Sequence, residues 1–455
     1  MNFTHIEFYV LFPILLAGYW LLRNNRLKVY YLLIWSYYFY AWWDYRFLSL
    51  LVFQAVSDYY VGKAIVTVLN PKIKKYIFVF GLCLNISILA FFKYFNFFVS
   101  SLASLSGLSL PTLNIILPLG ISFYIFRSIT YIVDLYKGQM KPVNSLAQYM
   151  LFLSFFPVMV AGPIVRAKAL LPQFQKKIVF RQAFFLEGIK LLIIGLFQKI
   201  FIADRLALFV NEVFPNNAVY DSFTCWLAVL AYTLQIYLDF QGYSNMAIGI
   251  SRMLGINIPQ NFDWPYIAHN ISDFWRRWHI TLSTWIRDYI YIPLGGNRKG
   301  EARTLFNLMV TMTLCGLWHG AEWTFVFWGF FHGVTIAIRR IWLNLNLHMG
   351  RLVGLFLTQL VVIIGWVFFR AENFSQALHI LSKMFIFTGG VQWLQPVVIF
   401  VLLVAILVHV YKYLSKTEDI LSFEAWYTPI LLFSMLWLVI VFPPEKFEPF
   451  VYGGF

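Results

Sequence analysis

Apolar runs alternate with short basic patches along almost the whole chain, from Phe8 to Phe442. About 20 predominantly apolar residues in a helix cross a hydrocarbon core of about 30 Å, so each long run is a candidate span. Spans are predicted at Phe8–Leu22, Tyr30–Trp43, Phe47–Ile65, Tyr76–Phe92, Phe184–Ala203, Phe223–Ile250, Leu352–Phe369, Pro396–Tyr411 and Tyr427–Phe442. Residues 95–119 are apolar but mixed with Ser, Pro and Gly, a pattern that suits a re-entrant or interfacial piece. The alternation predicts an all-α polytopic membrane protein with about 10–12 membrane-crossing elements. No internal repeat, soluble domain or low-complexity linker interrupts it, so residues 1–455 are read as a single membrane domain.

Polar residues inside the apolar runs mark where the pattern serves more than anchoring. The central stretch runs from Leu305 to Ile338, and its only ionisable side chains that titrate near neutral or carry charge are His319, Glu322 and His332. Hydrocarbon penalises a charge by about 3 kcal/mol or more, so groups at that depth imply a protein- or water-lined cavity. One unbroken helix over this stretch would extend roughly 51 Å at 1.5 Å per residue, too long for a single crossing. A break is expected at Gly316 or Gly320, which flank Trp318-His319. In a regular helix Glu322 lies i+3 from His319 on one face, as a candidate orienter, while His332, thirteen residues on, points elsewhere. His319 ranks first among the candidates, with packing as the alternative for any histidine in so aromatic a setting.

Other interruptions are graded. Arg127 and Asp134, two turns apart on one face, are assigned structural pairing ahead of a place in the cavity. Pro157, Gly162 and Pro163 break FLSFFPVMVAGPIVRAKALLPQF, which predicts a re-entrant segment, because non-helical backbone at membrane depth must be buried in protein or line a cavity. YLDFQGYSNMAIGI concentrates Asp239, Gln241, Tyr243, Ser244 and Asn245, predicting a cavity wall. Residues 251–300 contain no plausible span. Phe274, Trp275, Trp278, Leu282, Trp285 and Ile286 recur there at helical spacing among charges, predicting an amphipathic helix in the membrane plane that carries His279. The basic loop Gly295–Gly300 closes that segment.

Composition agrees with the pattern. Only 12% of the 455 residues are charged and 60% are hydrophobic, against about 25% charged in soluble domains. The net charge of +15 sits in patches between spans, the positive-inside distribution, so no nucleic-acid role follows. Arg23, Arg26 and Lys28 after the first span place the N-terminus outside, and the absence of a basic region before that span argues against a cleaved signal peptide. Cys83, Cys225 and Cys315 are scattered, giving neither a disulfide framework nor a metal site.

These residues suit a transfer between two faces of a membrane. The loop basic pair Arg298 and Lys299, with Arg276 and Arg277, are candidates for holding a phosphorylated donor, and ordinary positive-inside residues are the alternative. An imidazole titrates near neutral pH and takes and returns a proton, as acyl transfer from a thioester to a hydroxyl requires. Broken helices and buried ions serve transporters equally well, so the residues alone leave both classes open.

The segments FWRRWHITLSTWIRDYIYIPLGGNRKG and LCGLWHGAEWTFVFWGFFHG resemble the signature of the membrane-bound O-acyltransferase family, in particular its bacterial polysaccharide-acetylating branch. AGPIVRAKALLPQF, YLDFQGYSNMAIGI and the ending PFVYGGF extend the resemblance over nearly the whole chain. The resemblance implies a funnel through the bilayer, with the family's catalytic histidine at His319 and its second histidine position at His279. Glu322, Trp318, Asp239 and Gln241 then line or orient the cavity. No bound cofactor is implied. The donor substrate would be acetyl-coenzyme A or another acyl thioester. The acyl group would pass across the bacterial inner membrane to a periplasmic partner acetyltransferase of the SGNH type, and finally to an exported polysaccharide such as alginate. Peptidoglycan or another wall polymer, or D-alanyl transfer to teichoic acid, are the alternatives within the family; a transporter is the alternative outside it.

Overall fold

A computed structural model describes residues 3–415, 421–423, 425–443 and 450. Among the described residues there are helices, turns and one isolated bridge, Tyr220 to Val391, and no strand. Among the described residues four helices are long and apolar enough to cross a membrane: Pro71–Ser106, Ser222–Met253, Arg351–Arg370 and Pro396–Ser415. Shorter apolar helices span Ile6–Leu21, Leu146–Val158 and Thr428–Val441. The chain is thus an all-helical membrane protein, as its hydropathy pattern predicts. The ending PFVYGGF lies almost wholly outside the described residues.

The helices group into two compact units, one of Met1–Leu192 with Ser244–Pro259, the other of Ile193–Tyr243 with Gln260–Phe455. In the first unit the helix Ile121–Tyr136 is buried along nearly its whole length. Arg127 on it is buried and donates to the Phe152 carbonyl at 3.2 Å. A second buried polar cluster fixes neighbouring helices: Asp58 accepts from Asn85 Nδ2 at 2.8 Å and from the Tyr149 hydroxyl at 3.4 Å. The irregular backbone around Phe155–Val165 is buried in protein, which is how such a segment avoids exposing unpaired amides to lipid.

In the second unit, the interfacial helix predicted from the stripe Phe274 to Ile286 is absent as such. Two seven-residue helices, Ile271–Arg277 and Ile280–Ile286, replace it. They are divided at His279, whose φ of +41° is left-handed and cannot continue a helix. The apolar face expected to meet lipid is instead packed in protein, with Phe274, Trp278 and Leu282 almost completely covered. Helical spacing reports an apolar face; it does not say whether lipid or protein covers it.

Candidate active site

The central stretch folds as a hairpin. Its first helix, Glu301–His319, ends on His319; Gly320 is extended, with φ −153° and ψ 147°, and a second helix, Trp323–Asn344, returns alongside the first. Gly320 therefore breaks the helix, and Gly316 does something else. A Cβ on Gly316 would lie 2.1 Å from the Phe325 carbonyl oxygen, and one on Gly329 2.2 Å from the Met312 carbonyl oxygen. The two helices touch backbone to backbone there, the close approach that small residues permit.

This turn holds the His319 side chain in a buried aromatic pocket. Its ring centroid lies 4.9 Å from Trp318, 5.1 Å from Trp328 and 5.3 Å from Phe369, and its Nε2 lies 3.9 Å from the Cys315 sulfur one turn back. Edge-on packing against several rings fixes the orientation of an imidazole without requiring a charge partner.

His279 reaches the same cluster from the junction of the two short helices. Its ring lies 6.1 Å from Trp318, so one indole packs against both histidines. It is completely buried, and burial pushes its pKa down. Its Nδ1 lies 3.0 Å from Asn261 Oδ1. That oxygen also accepts from the Thr281 hydroxyl at 2.8 Å and from the Thr281 amide at 3.4 Å, so Oδ1 is an acceptor and His279 donates from Nδ1. A neutral His279 consequently carries its lone pair on Nε2.

His332 does not point elsewhere. Because the chain reverses at Gly320, position 332 returns to the aromatic cluster, with its ring 4.9 Å from Trp328 and 5.2 Å from Trp275. Trp328 thus packs against both His319 and His332. Neither ring nitrogen of His332 has a hydrogen-bond partner among the described residues. The second nitrogen faces Gly365, where an added Cβ would come within 2.8 Å.

Several expected site residues are placed differently. Glu322 is not on a helical face with His319, because the helix has already ended; it precedes the second helix with its side chain exposed. Partial burial, with a smaller contribution from the nearby Glu372 carboxylate, raises its pKa. Asp239 is an ion-pair partner of buried Lys199, which also binds Asp204 at 2.7 Å. Gln241 is half-buried on the same helix. Arg277 is engaged by Asp263 at 3.2 Å and Asp273 at 3.1 Å. Arg276, Arg298 and Lys299 are exposed. Trp318 is buried and packs against both His279 and His319.

The sequence reading missed Asn261, Trp328 and Phe369. Asn261 sits in an irregular stretch without periodicity, and the two rings read as ordinary apolar positions until the hairpin and the helix Arg351–Arg370 bring them to His319.

Comparison with known proteins bears directly on this cluster. A sequence model of the membrane-bound O-acyltransferase family matches residues 135–349, a range that includes Asn261, His279, His319 and His332. The probable alginate O-acetylase AlgI of Pseudomonas putida is 42% identical over 395 residues, covering 85% of this chain and 81% of that protein. The chain belongs to the membrane-bound O-acyltransferase family. The peptidoglycan O-acetyltransferase of Helicobacter pylori is 36% identical over 84% of this chain and 79% of its own length. The teichoic acid D-alanyltransferase of Streptococcus thermophilus is 30% identical over half of this chain, 50%, and 57% of its own. As a membrane-bound O-acyltransferase the protein is an enzyme, which sets the transporter reading aside.

Proposed function

We propose that the protein takes an acetyl group from a cytoplasmic thioester, acetyl-coenzyme A, and passes it across the bacterial inner membrane for O-acetylation of an exported polysaccharide such as alginate. The observation that carries this reading is the convergence of His319 and His279 on Trp318 at a broken-helix turn. The similarity to alginate O-acetylases supports the polymer. In the proposed step the neutral His319 imidazole removes the proton of an acceptor hydroxyl as its oxygen attacks the thioester carbonyl carbon. The tetrahedral adduct then collapses with cleavage of the carbon–sulfur bond. The imidazolium gives its proton to the departing thiolate, leaving an ester, a free thiol and a neutral His319. General acid–base catalysis of this kind contributes about 10²–10⁴-fold. His279, held by Asn261 and packed against the same Trp318, positions the acceptor. Arg276, Arg298 and Lys299 attract the phosphates of the donor. The N-terminus lies outside, and a periplasmic SGNH-type acetyltransferase completes transfer to the polymer.

The test is incorporation of labelled acetyl into base-labile ester on exported polysaccharide, in cells carrying wild type or His319→Ala at matched membrane expression. Loss of ester by two orders of magnitude or so supports the assignment. Unchanged acetylation with folded variant overturns it. The Helicobacter pylori relative favours one second reading, with peptidoglycan as the polymer. Label recovered on muropeptides, and not on soluble exopolysaccharide, would select it.

A further inference from the structure

We propose that a recess at the end of the hairpin remote from His319 binds an anionic phospholipid. The recess lies between the carboxyl end of the second hairpin helix, the amino end of the helix Arg351–Arg370 and residues 269–271, and has a volume of about 320 Å³. That is the size of a small-ligand pocket and accommodates a glycerophosphate headgroup with the start of its chains.

Its chemistry is divided as a lipid's is. Arg339, Arg351, His269 and His348 line it, and no carboxylate does. The remaining wall is apolar and open: Ile338 is 56% exposed and Leu357 40% exposed. Neighbouring cations are already committed. Arg340 is held by Glu301 at 2.6 Å, and Arg277 by Asp263 and Asp273. Arg339 and Arg351 have no ion pair among the described residues. Two acids stand nearby and both are engaged: Asp273, whose Oδ2 lies 3.7 Å from His269 Nδ1, by Arg277, and Glu301 by Arg340.

Depth points the same way. Glu301, at the start of the first hairpin helix, bonds both Arg340 and Asn344, so the recess shares an end of the hairpin with the basic loop and with Arg298, Lys299 and Arg303. A concentration of Lys and Arg at one end of a helix pair belongs to the cytoplasmic side, where anionic lipids reside. Trp342 lines the recess at that level, the place of an interfacial aromatic residue. Basic pockets between spans on this face bind phosphate headgroups, while a soluble anion gains nothing from exposed Ile338 and Leu357.

The test uses the full-length protein in nanodiscs of phosphatidylethanolamine with 10% or so phosphatidylglycerol, followed by native mass spectrometry of retained lipid. Wild type is expected to keep phosphatidylglycerol in preference to phosphatidylethanolamine. The double variant Arg339→Gln, Arg351→Gln is expected to lose that retention roughly thirtyfold, from two arginines near an anionic headgroup. The charge-keeping pair Arg339→Lys, Arg351→Lys should restore it, which a misfolded protein could not do. Arg303→Gln, at the same end but outside the recess, should behave as wild type. Equal retention by the Gln double variant, or equal retention of both lipids by wild type, overturns the proposal. Displacement of the bound lipid by millimolar inorganic phosphate or coenzyme A also overturns it, in favour of a soluble phosphate ligand.

Discussion

Replacing Gly316 by alanine tests whether the hairpin positions His319. The Cβ so added would sit 2.1 Å from the Phe325 carbonyl oxygen and close to the Gly329 backbone, atoms that belong to a helix and cannot rotate away. Restoring an ordinary carbon–oxygen separation requires the helices to part by about 1 Å, and overpacking of this kind costs about 1–3 kcal/mol. His319 is three residues from Gly316 and is the last residue of its helix, so the displacement reaches its ring undiminished. A misplacement of about 1 Å can reduce the rate of a positioned reaction by about 10². The expected result for Gly316→Ala is therefore a lowered melting temperature in detergent together with acetyl transfer reduced by one to two orders of magnitude. Gly389→Ala is the comparison, because nothing lies within 4 Å of the added carbon there. If Gly316→Ala melted and transferred acetyl as wild type does, the backbone contact would not be what holds the turn, and the account of the hairpin would be wrong.

Four further outcomes follow from named contacts. Asn261→Ala should cost about 1–3 kcal/mol in stability by stripping His279 and Thr281 of their common acceptor, with Asn261→Asp retaining more transfer, as measured by melting and labelled-acetyl assays. Asn tolerates the left-handed backbone of position 279, so His279→Asn should fold, whereas β-branched His279→Val should not; a tenfold or larger fall in transfer by the folded Asn variant would mark a chemical role for the imidazole, and full transfer would make His279 structural. Lys199→Met leaves Asp204 and Asp239 buried without their cation and should destabilise by about 3–5 kcal/mol, while adding Asp204→Asn and Asp239→Asn should recover most of the loss in thermal melts. Glu322→Gln should change transfer less than threefold or so, since its exposed carboxyl stands apart from the His319 helix; a drop comparable to that of His319→Ala would return Glu322 to the site.

Which parts of this molecule could be read beforehand depends on the range over which each property is determined. Span-length apolar runs are local, so the all-helical membrane fold was legible, and the cost of an imidazole in an apolar stretch makes His319 a candidate from the sequence alone. The break near His319 was legible too, because length alone forbids one helix, yet its consequence was not. With the reversal at Gly320, spacing along the sequence ceases to measure distance: Glu322, three residues from His319, leaves its face, and His332, thirteen residues away, comes back to Trp328. The same failure explains Asp239. Polar density in a span establishes that a charge must be accommodated, but its partner, Lys199, lies forty positions earlier and is found only in the fold. Likewise the stripe from Phe274 to Ile286 has helical spacing on both sides of His279, and its division rests on one left-handed residue held through Asn261. The site is thus assembled by one chain reversal and one backbone kink, and each sits beside a histidine. A polar side chain in an apolar run predicts that something must surround it; the hairpin and the kink determine that His319 and His279 pack against the same indole, Trp318.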